Sequence, residues 1–214
     1  MPKKTFSRLP EAKRKRIENA ALNAFNDKGY DRTTIRDIVR KAEIPRGSFY
    51  QYFDGMEDVF EHLLTVVSMK KMDFMKPVWD KLEHASFIGL YPEFIHEGIK
   101  FAYSDREAYL FGYHLFNSNS ATIKRLHKTL EAKGIAMMES LLEIDKRKGI
   151  IKEDVNLNLL ARLLYDFNAR QLVMMVYDHD SDDVDTIMEL ANEFLSIINY
   201  GIIPEEEDHE NESV

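Results

Sequence analysis

Two neighbouring groups of side chains are suited to gripping a polyanion. Thr33 and Thr34 carry hydroxyls that can bond phosphate, and Arg46, Gly47, Ser48, Tyr50, Gln51 and Tyr52 crowd into seven residues. Nearly all of that second group can bond to phosphates or base edges. Arg46 can be bidentate to guanine and Gln51 can pair with adenine; a good bidentate pair discriminates by roughly 1–3 kcal/mol. We expect Thr33 or Thr34, and Tyr52, on phosphate, and Arg46, Ser48, Tyr50 and Gln51 in a groove. Spacing alone leaves open which of the two tyrosines packs inward.

Other chemistries are more weakly represented. Asp178, Asp180, Asp182 and Glu189 occupy positions 1, 3, 5 and 12 of a calcium-loop count, but position 6 is Asp183 where the sharp turn needs glycine. His179-Asp180 is compatible with an all-helical, metal-dependent hydrolase, yet His62, His84, His96, His114 and His127 form no spaced pair with a carboxylate. No nucleophile-plus-base arrangement and no phosphate-cradling glycine loop is present. The sequence therefore implies no enzyme activity, no resident metal and no cofactor.

The DNA-facing residues need a scaffold, and Thr33 to Phe53 supplies one. Thr33 or Thr34 can cap a first short helix, with Asp37 in the partner position of a capping box. Ile35, Ile38, Val39 and Ala42 recur at helical spacing. A second helix is predicted to open at Pro45, anchored from behind by Ile44, Phe49 and Phe53, with Arg46 to Tyr52 otherwise facing outward. Two short helices joined by a tight turn, the second basic and aromatic, are the build of a DNA-binding helix-turn-helix.

With the helix before it (Glu11–Tyr30) and Glu57–Val59 after it, this stretch resembles the DNA-binding end of TetR-family transcriptional repressors. The resemblance rests on Gly47-Ser48-Phe49-Tyr50-Gln51-Tyr52-Phe53, a small and aromatic run ending in Tyr-x-x-Phe, and covers about the first quarter of the chain. Glu43 stands in the turn where the family usually has glycine, and a left-handed Glu43 would cost about 1 kcal/mol. Met56 stands where a lysine is frequent. The resemblance implies an all-α chain: a three-helix DNA-binding head over residues 1–53, then a larger ligand-binding and dimerisation domain over 54–204. It also implies about nine helices, a homodimer paired through the last two of them, and a pseudo-palindromic DNA operator.

Further along, Met1–Leu9 reads as a polar arm, disordered when free. Glu11 to Lys28 reads as a helix closed by Gly29. Asp54 is expected to cap a linking helix that runs to about Lys76, where Pro77 should break or bend it. Ser104 with Glu107 suggests a helix start, and Ala121–Lys148 a long helix with Leu126, Leu130, Met137, Leu141 and Ile144 on its stripe. Asp154 to Tyr177 reads as one helix apolar on two faces, Val184 to Ile202 as the last helix, and 205–214 as a disordered acidic tail.

For an effector, the aromatic middle is the expected wall: Phe87, Phe94, Phe101, Phe111, Tyr113, Phe116, Met137, Met138 and Phe167, with Asn168 and Arg170 as polar handles. Spacing does not separate pocket wall from ordinary core. Arg170 can meet an anionic ligand or pair with Asp166 or Glu193. The aromatic content suggests a small apolar or aromatic effector.

Composition bounds the rest. The 214 residues include no cysteine, which fits a reducing cytoplasm, and no apolar run approaches a membrane span. The formal charge of −8 conceals a division. Residues 1–53 carry 13 Lys and Arg against 6 Asp and Glu, and the remainder 16 against 31. A basic head attracts phosphate while an acidic body is held off the duplex.

Overall fold

A computed structural model describes residues 2–178 and 184–202. Among them there is no strand. The amino-terminal head comprises α1 (Lys4–Ser7), α2 (Glu11–Lys28), α3 (Ile35–Lys41) and α4 (Arg46–Tyr52). A long α5 (Met56–Trp79) leads into a body of α6 (Phe87–Ser104), α7 (Arg106–Asn117), α8 (Ala121–Arg147), α9 (Leu157–Asp166), α10 (Leu172–Asp178) and α11 (Val184–Ile202).

Local chemistry sets the head's short elements. Gly29 ends α2 at φ 72°, its N–H donating to the Phe25 carbonyl. Thr34 caps α3 in a reciprocal box: its hydroxyl accepts from the Asp37 N–H, and the Asp37 carboxylate accepts from the Thr34 N–H. After α3 the chain turns through a Schellman motif, with Ile44 N–H donating to the Val39 carbonyl and Glu43 N–H to that of Arg40. Glu43 is left-handed there, at φ 51°, in the turn position that glycine more often fills.

The arm is not disordered. Phe6 of α1 is 1% exposed and packs its ring 4.8 Å from Phe53 and 5.2 Å from His62. The other helix ends also depart from expectation. Gly55, not Asp54, is the cap of α5, while the Asp58 carboxylate accepts the Asp54 N–H. Pro77 lies within the last turn of α5, where it gives up the one bond its N–H would make to the Asp73 carbonyl, and the helix continues to Trp79. Asp105, not Ser104, caps α7 by accepting from the Ala108 N–H, while the Ser104 hydroxyl donates to the Phe101 carbonyl.

Two apolar clusters result. The head's cluster joins Ile17, Phe25, Ile38, Phe49 and Phe53 to Val59, Phe60 and Leu63 at the start of α5, and also takes in Phe111 and Leu115 of α7. The body's cluster gathers Met75 and Val78 from the end of α5 with α6, α8, α9 and α11. The single helix α5 therefore contributes to both. On α8 the buried apolar residues are Ile123, Ile135 and Leu142; of the expected stripe Leu126, Leu130 and Leu141 pack half-buried against the cores, whereas Met137 and Ile144 are exposed. The Asp145 carboxylate, 2% exposed, accepts the Ile88 N–H at 2.8 Å and ties α8 to the first turn of α6.

The segment expected as one helix from Asp154 begins instead at Leu157, capped by Asn156, and carries a π-helical turn over Phe167–Gln171 before α10. Single π turns are frequent at functional sites because they re-aim side chains within an otherwise regular helix.

Candidate nucleic-acid interface and effector cavity

In the head, Arg46, Gly47 and Gln51 are exposed on α4, Ser48 is half-buried and Tyr50 is 43% exposed. Nothing lies within 4 Å of where a Gly47 side chain would begin, so that face is open to an incoming backbone. Ile44, Phe49 and Phe53 are buried behind it. The structure thus gathers Arg46, Gly47, Ser48, Tyr50 and Gln51 on one accessible surface.

Two expectations are corrected. Tyr52 does not face outward: it is 6% exposed, 6.0 Å from the Phe6 ring, with the Lys13 ammonium 5.9 Å above its own ring. Thr33 is also buried, and its hydroxyl donates to the carbonyls of Ala24 and Gly29 at 3.0 and 2.7 Å. That hydroxyl closes α2 onto the turn that follows it, and the exposed Thr34 is the better placed of the pair for phosphate.

The sequence did not reveal how α4 is closed. Its last carbonyls would be left without partners at so short a helix's end. The arm supplies them: Lys3 N–H donates to the Tyr52 carbonyl and the Lys3 ammonium to that of Tyr50, both at 2.8 Å, while the Thr5 hydroxyl donates to that of Gln51. A cation there also complements the negative end of the helix.

At the other side of the head, the Asp37 carboxylate receives the Lys28 ammonium at 2.6 Å. The hydrogen bond from Lys28, followed by those from Thr34, holds the Asp37 carboxyl well below the usual carboxylate range.

Head and body meet at a polar groove of about 510 Å³, lined by residues 26–32 and by Tyr113, His114 and Asn117–Asn119. Asp31 accepts from the Ser118 hydroxyl at 3.0 Å and the Asn119 N–H at 2.8 Å, and the Asn26 amide donates to the Glu107 carbonyl at 2.9 Å. Burial pulls the His114 imidazolium below the ordinary histidine range. These contacts tie the end of α2 to α7.

The body holds a separate, predominantly apolar cavity of about 250 Å³ between α5, α6, α8 and the π turn. Of the residues expected at an effector, Phe87, Phe94, Met137, Met138 and Asn168 line it. The rest do not. Phe101 packs against Phe74, Phe111 belongs to the head's core 4.6 Å from Phe60, and Tyr113 faces the groove. Phe116 meets His127, Phe167 stacks on Phe194 at 3.9 Å, and Arg170 is exposed with Asp166 at 3.8 Å.

Sequence reading missed Ser68, Lys71, Met72, Met75, Trp79, Tyr91, Tyr165 and Ala169 on this wall. The α5 residues among them, at positions 68, 71, 72, 75 and 79, follow helical spacing. That periodicity was the available signal. The π turn brings Asn168 and Ala169 to the cavity. The remaining candidate, the Asp178–Asp183 acidic segment, falls at 179–183 outside the described residues. Among the described residues no three His, Asp or Glu side chains are grouped to hold a metal ion, and no helix is long and apolar enough to cross a membrane.

A helix-turn-helix head joined by one continuous helix to a cavity-bearing helical body defines a DNA-binding transcriptional regulator. Residues 17–63, the head with the start of α5, match the bacterial regulatory proteins of the tetR family. It is 28% identical over 189 residues to the biofilm operon icaADBC HTH-type negative transcriptional regulator IcaR of Staphylococcus epidermidis, covering 86% of this chain and 98% of that one. The fold matches a TetR-family regulator from Syntrophomonas wolfei at a TM-score of 0.73 and 20% identity, over 89% of this chain and 96% of that one. It also matches FadR of Bacillus subtilis in complex with stearoyl-CoA at a TM-score of 0.68 and 16% identity, over 85% and 96%.

Proposed function

We propose that this protein is a ligand-responsive repressor that reads a pseudo-palindromic operator as a homodimer and leaves it when a small molecule fills the body's cavity. Residues 1–53 serve as the DNA-binding domain and 54–204 as the ligand-binding and dimerisation domain. Arg46, Gly47, Ser48, Tyr50 and Gln51 enter the major groove, and Thr34 grips phosphate.

The observation that carries this reading is the dual membership of α5. Its first turns are part of the head's core and its last turns form a wall of the cavity. A molecule that prefers one setting of α5 shifts the population of head positions, and it does so only to the extent that it binds the two settings unequally. The relative IcaR is named a negative regulator, and the FadR structure holds stearoyl-CoA. Both precedents favour repression relieved by a ligand.

The dimer is favoured by an apolar face on the last helices. Leu159 and Leu163 on α9, and Leu190, Ile197 and Tyr200 on α11, are all exposed, Tyr200 to 86%. A patch of that kind marks an association surface, and a second copy using the same helices would form a four-helix bundle. Two recognition helices would then sit about 34–36 Å apart, one turn of duplex. A reducing cytoplasm remains the compartment that the absence of cysteine suits.

Selection of random and genomic duplexes by the full chain at two salt concentrations tests the proposal. One palindrome with a steep salt dependence is the expected result. Salt-sensitive binding with no preferred sequence would overturn specific recognition.

A further inference from the structure

The body's cavity has an asymmetric set of polar groups. Lys71 is the one charged residue among those that line it, and no carboxylate does. Lys71 makes no hydrogen bond or ion pair among the described residues, although both other lysines of α5 do: Lys70 pairs with Asp105 and Lys76 with Asp80. Trp79 Nε1, two turns further along the same helix, is a buried donor without a partner. The Tyr91 hydroxyl is already committed, donating to the Leu164 carbonyl at 2.7 Å.

An ammonium has three donors and no acceptor, and an indole nitrogen only donates. Both groups therefore call for an acceptor, and a cation in apolar surroundings calls for an anion. Burial pulls the Lys71 ammonium below the ordinary lysine range, so the charge is held at a cost that an incoming anion would relieve. Apart from the neutral polar groups of Ser68, Tyr165 and Asn168, the rest of the wall, with Met72, Met75, Phe87, Phe94 and Met138, is apolar. A volume of about 250 Å³ equals that of some eight waters at roughly 30 Å³ each, enough for a medium-length aliphatic chain.

We propose that the effector is an apolar carboxylic acid of medium chain length, its carboxylate on the Lys71 ammonium and its chain among the methionines and phenylalanines of the cavity. Lys71 and Trp79 lie eight residues apart, about 12 Å along the helix axis. The head group therefore engages Lys71, and the indole N–H is left for an oxygen further along a longer ligand. This inference rests on the reading of the body as the effector domain, but it concerns binding to the cavity alone.

The chain has a single tryptophan, so Trp79 emission reports the cavity directly and without DNA. Titration of the full protein with decanoate, decanol and decylamine below their aggregation concentrations is the first test. Saturable binding of decanoate at least tenfold tighter than decanol, with decylamine weaker still, is expected. Equal affinity for acid and alcohol, or no saturable response to the acid, would overturn the proposal. Lys71→Met should lose at least tenfold in decanoate affinity while keeping that for decanol; an unchanged decanoate affinity would also overturn it. If that variant does not fold, the three-ligand comparison on the unaltered chain still decides. Because operator DNA is absent, failure here leaves operator recognition untouched, and failure of duplex selection leaves this result standing.

Discussion

The backbone N–H of Lys3 donates to the carbonyl of Tyr52 at 2.8 Å, across 49 residues of chain. The arm is thereby part of the recognition helix's closure, with Phe6 as the buried anchor that holds it in place. Phe6→Ala removes that anchor and should destabilise the head by about 3–5 kcal/mol, the usual cost of truncating a core phenylalanine. Chemical denaturation would measure it. A loss under 1 kcal/mol would show that the arm docks without contributing.

Glu43 sits at the left-handed position of the Schellman turn. Glu43→Gly relieves about 1–2 kcal/mol of backbone strain, while the freer unfolded chain takes back about 0.4–1 kcal/mol. The net expectation is a modest gain of about 0.5 kcal/mol, read as a higher urea midpoint at unchanged slope. A lower midpoint would mean that the Glu43 side chain has a role of its own.

On DNA, Arg46→Ala should lose about 1–3 kcal/mol on the selected operator and much less on random duplex. Thr34→Ala should weaken both alike, with an added loss of head stability of about 1 kcal/mol from the cap. Equal losses on operator and random DNA for Arg46→Ala would remove its base-reading role.

Acid should loosen the seam between α2 and α3. The Asp37 carboxyl titrates lower in the folded state than in the unfolded chain, so its contribution is fully present above the unfolded range near pH 4 and disappears as pH falls below it. Asp37→Asn should flatten the acid limb of the stability-versus-pH curve. An identical acid limb in the variant would show that other carboxylates govern it.

Gly134 lets α8 pass beneath the Tyr165 ring, which a Cβ at that position would meet well inside van der Waals contact. Tyr165 is a wall of the cavity. Gly134→Ala gains about 1 kcal/mol of helix propensity, but overpacking costs about 1–3 kcal/mol. A small net loss of stability and a shifted Trp79 emission are expected; an unshifted emission would mean that the ring swings away from the cavity.

The head was legible because its signals are local: the capping box at Thr34, the glycine at 29, and the apolar spacing of Ile38, Phe49 and Phe53 each act within a few residues. Thr33 and Tyr52 were misplaced because their environments are made by distant chain, the end of α2 for one and the arm for the other. The cavity was harder still. Phe111 and Phe94 are the same residue type on neighbouring helices, yet one completes the head's core and the other faces the cavity. Only the packing of helices decides between them. The π turn that delivers Asn168 leaves no mark in the apolar pattern, which is why an uninterrupted helix was expected there.

The length of α5 sets a scale for what a bound molecule must achieve. Its 24 residues span about 36 Å. Tilting such a rod by about 5° at the cavity displaces its far end by about 3 Å, close to the 3.4 Å rise of one base-pair step. An angular change small enough to follow from seating a few carbon atoms is thus sufficient to put the two heads out of register with the duplex.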